Sequence, residues 1–185
     1  MRIRAITITG EVCTGKSTIA NALLQRLPDW EQANTGQKFR EICAARGISI
    51  QEVASLPDDV HRAVDDWQRS LAATESNIII EGRLAGWLAR DMEHVFRVYC
   101  YSDLGTRIQR YMQRENVSAE RARKEIEYRD SHDVEKYRRV YNLPDYRDAS
   151  FYNLQLDTSR NTPEELAWTI IRQASLVPDG EPEEM

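Results

Sequence analysis

The sequence predicts an α/β chain of the P-loop NTPase type, with a parallel sheet of about five strands and helices on both faces. Three observations predict it. Short apolar runs alternate with long helical patterns along the 185 residues, which is how successive βαβ units read in sequence. The first apolar run leads directly into Gly10-Glu11-Val12-Cys13-Thr14-Gly15-Lys16-Ser17, a full match to G-x-x-x-x-G-K-[ST], and a helical pattern follows it. Residues 102 to 141 carry no strand signal and read as two long charged helices.

In chain order, strands are expected at Ile3 to Thr9, Trp30 to Asn34, Ile78 to Ile80, Val95 to Tyr101 and Tyr152 to Asp157. The first helix runs from Lys16 to Leu27, with Pro28 as its stop, and Gly47 stops the next. Ser49-Ile50-Gln51-Glu52 and Thr162-Pro163-Glu164-Glu165 are capping boxes that open two further helices, the second with Pro at its first position. The charged pair meets near Asn116-Val117-Ser118. Between Arg107 and Arg139 it holds 10 Lys or Arg against 7 Asp or Glu. Trp67, Leu71 and Trp168 are expected in the core, and Tyr137 and Tyr141, one turn apart, are expected to pack.

The length suits one domain, residues 1 to 175, followed by an acidic, disordered tail at 176 to 185. Hydrophobic residues make up 41% and charged residues 30%, an ordinary globular balance. The net charge of -5 argues against a nucleic-acid or anionic-membrane partner. Cys13, Cys43 and Cys100 are widely spaced and form no metal-ligand pattern with His61, His94 or His132. We therefore expect a reduced, cytoplasmic monomer that acts on small molecules.

The phosphate loop defines the donor site. Gly10 and Gly15 let backbone N–H groups curl around phosphate oxygens, and the helix that follows points its positive end at the anion. Cys13, Thr14 and Thr18 supply the remainder of this cradle for ATP, Lys16 reaches the β- and γ-phosphates, and the Ser17 hydroxyl binds Mg²⁺. Cys13 lies beside a helix N-terminus and Lys16, a setting that favours a reactive thiolate; the alternative is an inert small residue that fills the loop. No N-K-x-D base-reading pattern for GTP is present. Ile78-Ile79-Ile80 runs into Glu81-Gly82-Arg83, where Glu81 can hold the Mg²⁺ shell and Arg83 a phosphate at the carboxyl edge of the sheet.

The run Glu81-Gly82-Arg83-Leu84-Ala85-Gly86-Trp87 closely resembles the signature of the short, archaeal-type cytidylate kinases. The resemblance continues through Gly36-Gln37-Lys38-Phe39-Arg40-Glu41, Val64-Asp65-Asp66-Trp67-Gln68, the arginines Arg107, Arg110, Arg114 and Arg129, and Tyr146 to Ser159. It implies an adenylate-kinase-like fold in which residues 36 to 75 bind the acceptor and residues 103 to 141 form a mobile lid. The implied reaction is transfer from ATP to CMP or dCMP. Arg40 and Arg83 then clamp the acceptor phosphate with Gly36, Phe39 and Gly86 around them, and Arg110, Arg114 and Arg129 join Lys16 on the transferring group. Asp65 is the candidate for the cytosine amine, since a carboxylate can accept from it; the alternative is an exposed helix charge.

The chain departs from the family where Glu11-Val12-Cys13-Thr14 is bulkier than the usual small filling. His61, Val134 and Lys136 also stand where Asp, Arg and Arg are expected. A kinase of another small acceptor and a nucleotide-binding regulator without turnover are the competing readings. Arg107, Arg110 and Arg114, at i, i+3 and i+7, are expected to converge from one helix face on a single anion.

Overall fold

Five short strands in a computed structural model form one parallel sheet in the order β2-β3-β1-β4-β5; residues 2 to 49 and 56 to 176 are described. The strands are β1 (Ala5–Thr9), β2 (Glu31–Asn34), β3 (Ile78–Glu81), β4 (Val95–Tyr101) and β5 (Leu154–Asp157). Each of the five expected runs became a strand. β1 and β3 are buried along their whole length, as interior strands of a doubly covered sheet must be, whereas the edge strands β2 and β5 are more polar and only partly buried.

The helices are α1 (Lys16–Leu24), α2 (Thr35–Arg46), α3 (Asp58–Thr74), α4 (Ala85–Leu88), α5 (Leu104–Glu115), α6 (Ala119–Tyr141) and α7 (Pro163–Gln173). On one face Ile6, Ile8, Ile79, Val98 and Leu156 pack against Ile19 and Leu23 of α1 and Ile170 and Ile171 of α7. The other face carries Ile78 and Ile80, which meet α3 through Ala72, Trp67 and Leu71.

Local chemistry explains the helix ends. Asn34 caps α2 by accepting from the Gln37 N–H at 2.9 Å, and Gly47 ends it with a left-handed φ of 67°. Asp103 and Ser118 cap α5 and α6, and Asn116 turns the chain between them at φ 53°. The capping box at Thr162 and Glu165 is formed, with Pro163 at the first position. The box expected at Ser49 to Glu52 runs outside the described residues, as does the acidic tail. Some boundaries differ: β1, β2 and β5 start one or two residues later than expected, and α1 stops at Leu24 instead of Leu27, where Arg26 and Leu27 both turn back to the Leu23 carbonyl.

The α5–α6 pair has its own apolar core of Ile108, Tyr111, Ala122 and Ile126. Val12 of the phosphate loop is buried in that core. The bulk that sets this loop apart in sequence therefore joins the loop to the helical pair, which buries an apolar side chain that water would otherwise surround.

Candidate active site

The sheet order sets the site, because β1 and β3 leave side by side, with Ile8 opposite Glu81, and their following loops open onto one crevice. A cleft of about 740 Å³ lies there.

On the donor side, Gly10 has no room for a side chain: an added Cβ would strike the Cys100 carbonyl and the Thr14 hydroxyl. Gly15 takes a φ of 81° immediately before α1. Cys13 also adopts a left-handed φ, 58°, which costs a residue with a Cβ about 1 kcal/mol. It is partly exposed in the cleft and its carbonyl accepts from Arg110.

Lys16 is parked on its own loop, its Nζ donating to the Glu11 carbonyl at 2.7 Å. Burial, reinforced by the Arg83 charge, lowers its pKa to about 8. Bound phosphates must raise that value again, because they favour the charged form. ATP affinity is therefore expected to be flat below pH 8 and to weaken above it, by up to about tenfold per pH unit until the pKa of the complex is passed. The KM for ATP measured from pH 7 to 9.5 checks this, and a flat profile would mean that Lys16 stays charged in the free protein.

The Ser17 hydroxyl donates to Glu81 at 2.7 Å. Glu81 also accepts from Asn34 at 2.5 Å and Gln32 at 3.2 Å, so β2 holds the carboxylate in place. Two hard oxygen groups so close together at the start of α1 fit Mg²⁺, which takes few protein ligands and keeps its water and phosphate oxygens.

Arg40 of α2 lines the cleft and is exposed. Gly36 and Phe39 line the wall next to it. Arg83 is held by two carboxylates of α6, Asp133 and Asp130. Burial works to raise the Asp133 pKa, but Arg83 and Lys136 outweigh it and keep the carboxylate ionised. Gly86, expected at the substrate, is not among the residues that line the cleft; it is buried, its N–H donates to the Thr9 hydroxyl at 2.8 Å, and an added Cβ would strike the Tyr152 ring.

Arg110, Arg114 and Arg129 all line the cleft. Arg110 is the anchored one, donating to the Thr158 hydroxyl at 2.9 Å and the Thr158 carbonyl at 2.5 Å. Arg114 pairs only with its neighbour Glu115, and among the described residues Arg129 makes no hydrogen bond or ion pair. Arg107, expected with them, is elsewhere. It is 5% exposed, bonded to Glu11, Asp130 and the Val12 carbonyl, and it ties α5 and α6 to the phosphate loop without lining the cleft.

Asp65 lines the cleft but is buried at 7% exposure, not on a solvated face. Burial raises its pKa to about 6, opposed by a hydrogen bond from the Tyr141 hydroxyl at 2.7 Å. Three groups escaped the sequence reading as site residues. His61 and Gln68 lie one turn before Asp65 and one turn after it, both buried and both facing the cleft. Thr158 bonds Arg110 and the Thr14 carbonyl. The spacing i, i+4, i+7 of polar residues on an otherwise apolar helix face was the signal for the first two.

The chain matches the model of the cytidylate kinase-like family over residues 30–160. It is 37% identical to the cytidylate kinase of Natronomonas pharaonis over 163 residues, covering 86% of this chain and 83% of that protein. It is 32% identical to the cytidylate kinase of Thermoplasma acidophilum over 166 residues, 88% of this chain and 87% of that one. Among solved structures, a shikimate kinase from Acinetobacter baumannii in complex with shikimate superposes with a TM-score of 0.61 at 15% identity, covering 97% of this chain and 96% of the other. A gluconokinase from Sinorhizobium meliloti gives a TM-score of 0.61 at 12% identity over the same shares. At such identities these two speak for the fold alone.

Proposed function

The chain belongs to the cytidylate kinase-like family, and from that premise we propose that it transfers the γ-phosphoryl group of ATP to a nucleoside monophosphate, CMP or dCMP, giving CDP or dCDP. One observation carries the choice of a phosphate acceptor over a hydroxyl acceptor. A hydroxyl must lose a proton to a base as it attacks, whereas the oxygen of a monophosphate is already an anion near neutral pH. The carboxylates that line the cleft, Glu81, Asp65 and Asp133, are all bonded to protein side chains. Burial and the Lys136 charge lower the pKa of both histidines that line the cleft, His61 to about 4 and His132 in the same direction, which makes each a poorer base.

The residues divide the work accordingly. Lys16 exchanges the Glu11 carbonyl for the β- and γ-phosphates. Arg83 exchanges Asp133 and Asp130 for the acceptor phosphate, and Arg40 approaches it from the opposite wall. Ser17 and Glu81 would hold Mg²⁺, which when bound neutralises charge on the β- and γ-oxygens. Arg110, Arg114 and Arg129 supply positive charge where the transferring group passes. In this reading residues 1 to 175 are one kinase domain, residues 36 to 75 its acceptor side and residues 103 to 141 its lid. The site is complete within one chain, which suits a monomer, and three free cysteines suit the cytoplasm.

The test is ADP release from ATP with CMP, dCMP, UMP, AMP, shikimate and gluconate as acceptors. CMP or dCMP is expected to give the highest kcat/KM; a hydroxyl acceptor in first place would overturn the proposal. Arg40→Ala and Arg83→Ala should each raise the KM for CMP by about 10- to 100-fold, the worth of a charge-assisted phosphate contact, with the KM for ATP nearly unchanged. Equal effects on both substrates in steady-state kinetics would place these arginines in the wrong half of the cleft.

A further inference from the structure

Helix α3 buries three polar side chains in a stripe facing the cleft: His61 at 4% exposure, Asp65 at 7% and Gln68 at 2%. Both oxygens of the middle one are already engaged by protein donors. Tyr141 donates to one Asp65 oxygen at 2.7 Å, and the Gln68 amide nitrogen donates to the other at 3.1 Å. Its neighbours differ: among the described residues, the Gln68 amide oxygen and both ring nitrogens of His61 are buried without a hydrogen-bond partner. A buried polar group left in this way is costly unless water or a ligand completes it, and two such side chains on the cleft face of one helix are placed where a ligand can do so.

An ionised carboxylate can only accept, so Asp65 obliges Gln68 to turn its nitrogen inward. The amide oxygen is thereby aimed at Gly82, where an added Cβ would run into it. Gly82 immediately precedes Arg83, so this acceptor sits beside the residue assigned to the acceptor phosphate.

We propose that the amide oxygen of Gln68 reads the exocyclic amine of the acceptor base, that Asp65 is the positioning residue that fixes the amide's orientation, and that a His61 ring N–H donates to the base's O2. The inference rests on the reading of the chain as a pyrimidine monophosphate kinase. It moves the base contact from Asp65 to its neighbour. Cytosine presents an amine at position 4, which an amide oxygen accepts; uracil presents a carbonyl there, and two acceptors would face each other with no proton between them. Oxygen O2 is common to both bases, so His61 contributes affinity without choosing between them.

Steady-state kinetics with CMP and UMP test this on Gln68→Met, Asp65→Asn and His61→Phe, with the KM for ATP reporting that each variant is folded. Gln68→Met should lower the CMP-over-UMP ratio of kcat/KM by about 10- to 100-fold, the range for losing one partner of a buried hydrogen bond. Asp65→Asn, which frees the amide to turn, should lower the same ratio, whereas a merely structural Asp65 would weaken both substrates alike. His61→Phe should raise both KM values together and leave the ratio within about twofold, since the lost bond is shared. An unchanged ratio in Gln68→Met with wild-type preference for CMP would overturn the inference alone. A wild-type enzyme that ignores CMP would overturn the functional reading and the inference with it.

Discussion

Lys16→Ala is expected to lower kcat by at least about 10²- to 10³-fold while the protein stays folded, because removing a preorganised charge from a developing anion costs that much in comparable sites. The fold should tolerate the change for a reason visible in the site. Lys16 is buried, its pKa is pulled down to about 8, and in the free protein it bonds one carbonyl of its own loop. Burying that ammonium costs desolvation that a single carbonyl only partly returns. Alanine removes this cost along with the bond, so the thermal midpoint should stay the same or rise. The loop keeps its shape through other contacts: the Thr14 hydroxyl donates to Glu11 at 3.0 Å, and Val12 is seated in the lid core. Near-normal ADP production by a folded Lys16→Ala protein would remove the phosphate loop from the mechanism. A variant that failed to fold would contradict the claim that Lys16 serves the nucleotide and not the native state.

How much of this was legible in sequence depends on how far apart the partners lie. The phosphate loop and Glu81-Gly82-Arg83 were legible because each is contiguous, and a parallel sheet brings the carboxyl ends of its strands together whatever the loops contain. The two charged helices and their meeting point near Asn116 were legible because a long charged stretch without a strand signal leaves only local helical structure to form. Asp65 was legible as a helix carboxylate, but its burial and its bond from Tyr141, 76 residues away, were not. Arg107 was misplaced for a similar reason. Helical spacing puts it on one face with Arg110 and Arg114, yet it stands nearest the helix start, and long side chains on a helix lean toward that end. There it meets Glu11 and Asp130, partners that only the packing of the lid on the loop supplies. The bulky filling of the phosphate loop likewise read as a departure until Val12 was seen inside a core built from α5 and α6.

Arg110→Ala and Arg129→Ala are both expected to lower turnover by about 10³-fold or more, the low end for an arginine aimed at a transferring phosphoryl group. They should differ in the rest of their kinetics. Arg110 lies over the donor loop, held by the Cys13 carbonyl at 3.3 Å and by both oxygens of Thr158, so its loss should also raise the KM for ATP. Arg129 on α6 reaches the cleft without a bonded partner among the described residues, and burial together with the nearby Arg83 charge lowers its pKa. A guanidinium held near another cation in this way gains most when extra negative charge arrives between them, and that charge is greatest as the phosphoryl group passes. Its removal should therefore lower kcat while leaving the KM for ATP within about twofold, the pattern of an interaction made only in the transition state. Arg114, paired with Glu115 on an exposed stretch, should show the smallest loss of the three. Lysine at position 129 should restore activity only in part, because a point charge cannot make the two parallel bonds of a guanidinium. Single-turnover and steady-state rates on these variants decide the matter: normal turnover in Arg129→Ala would leave α6 as a scaffold for Asp130 and Asp133 and return the charge compensation to Lys16, Arg110 and Mg²⁺.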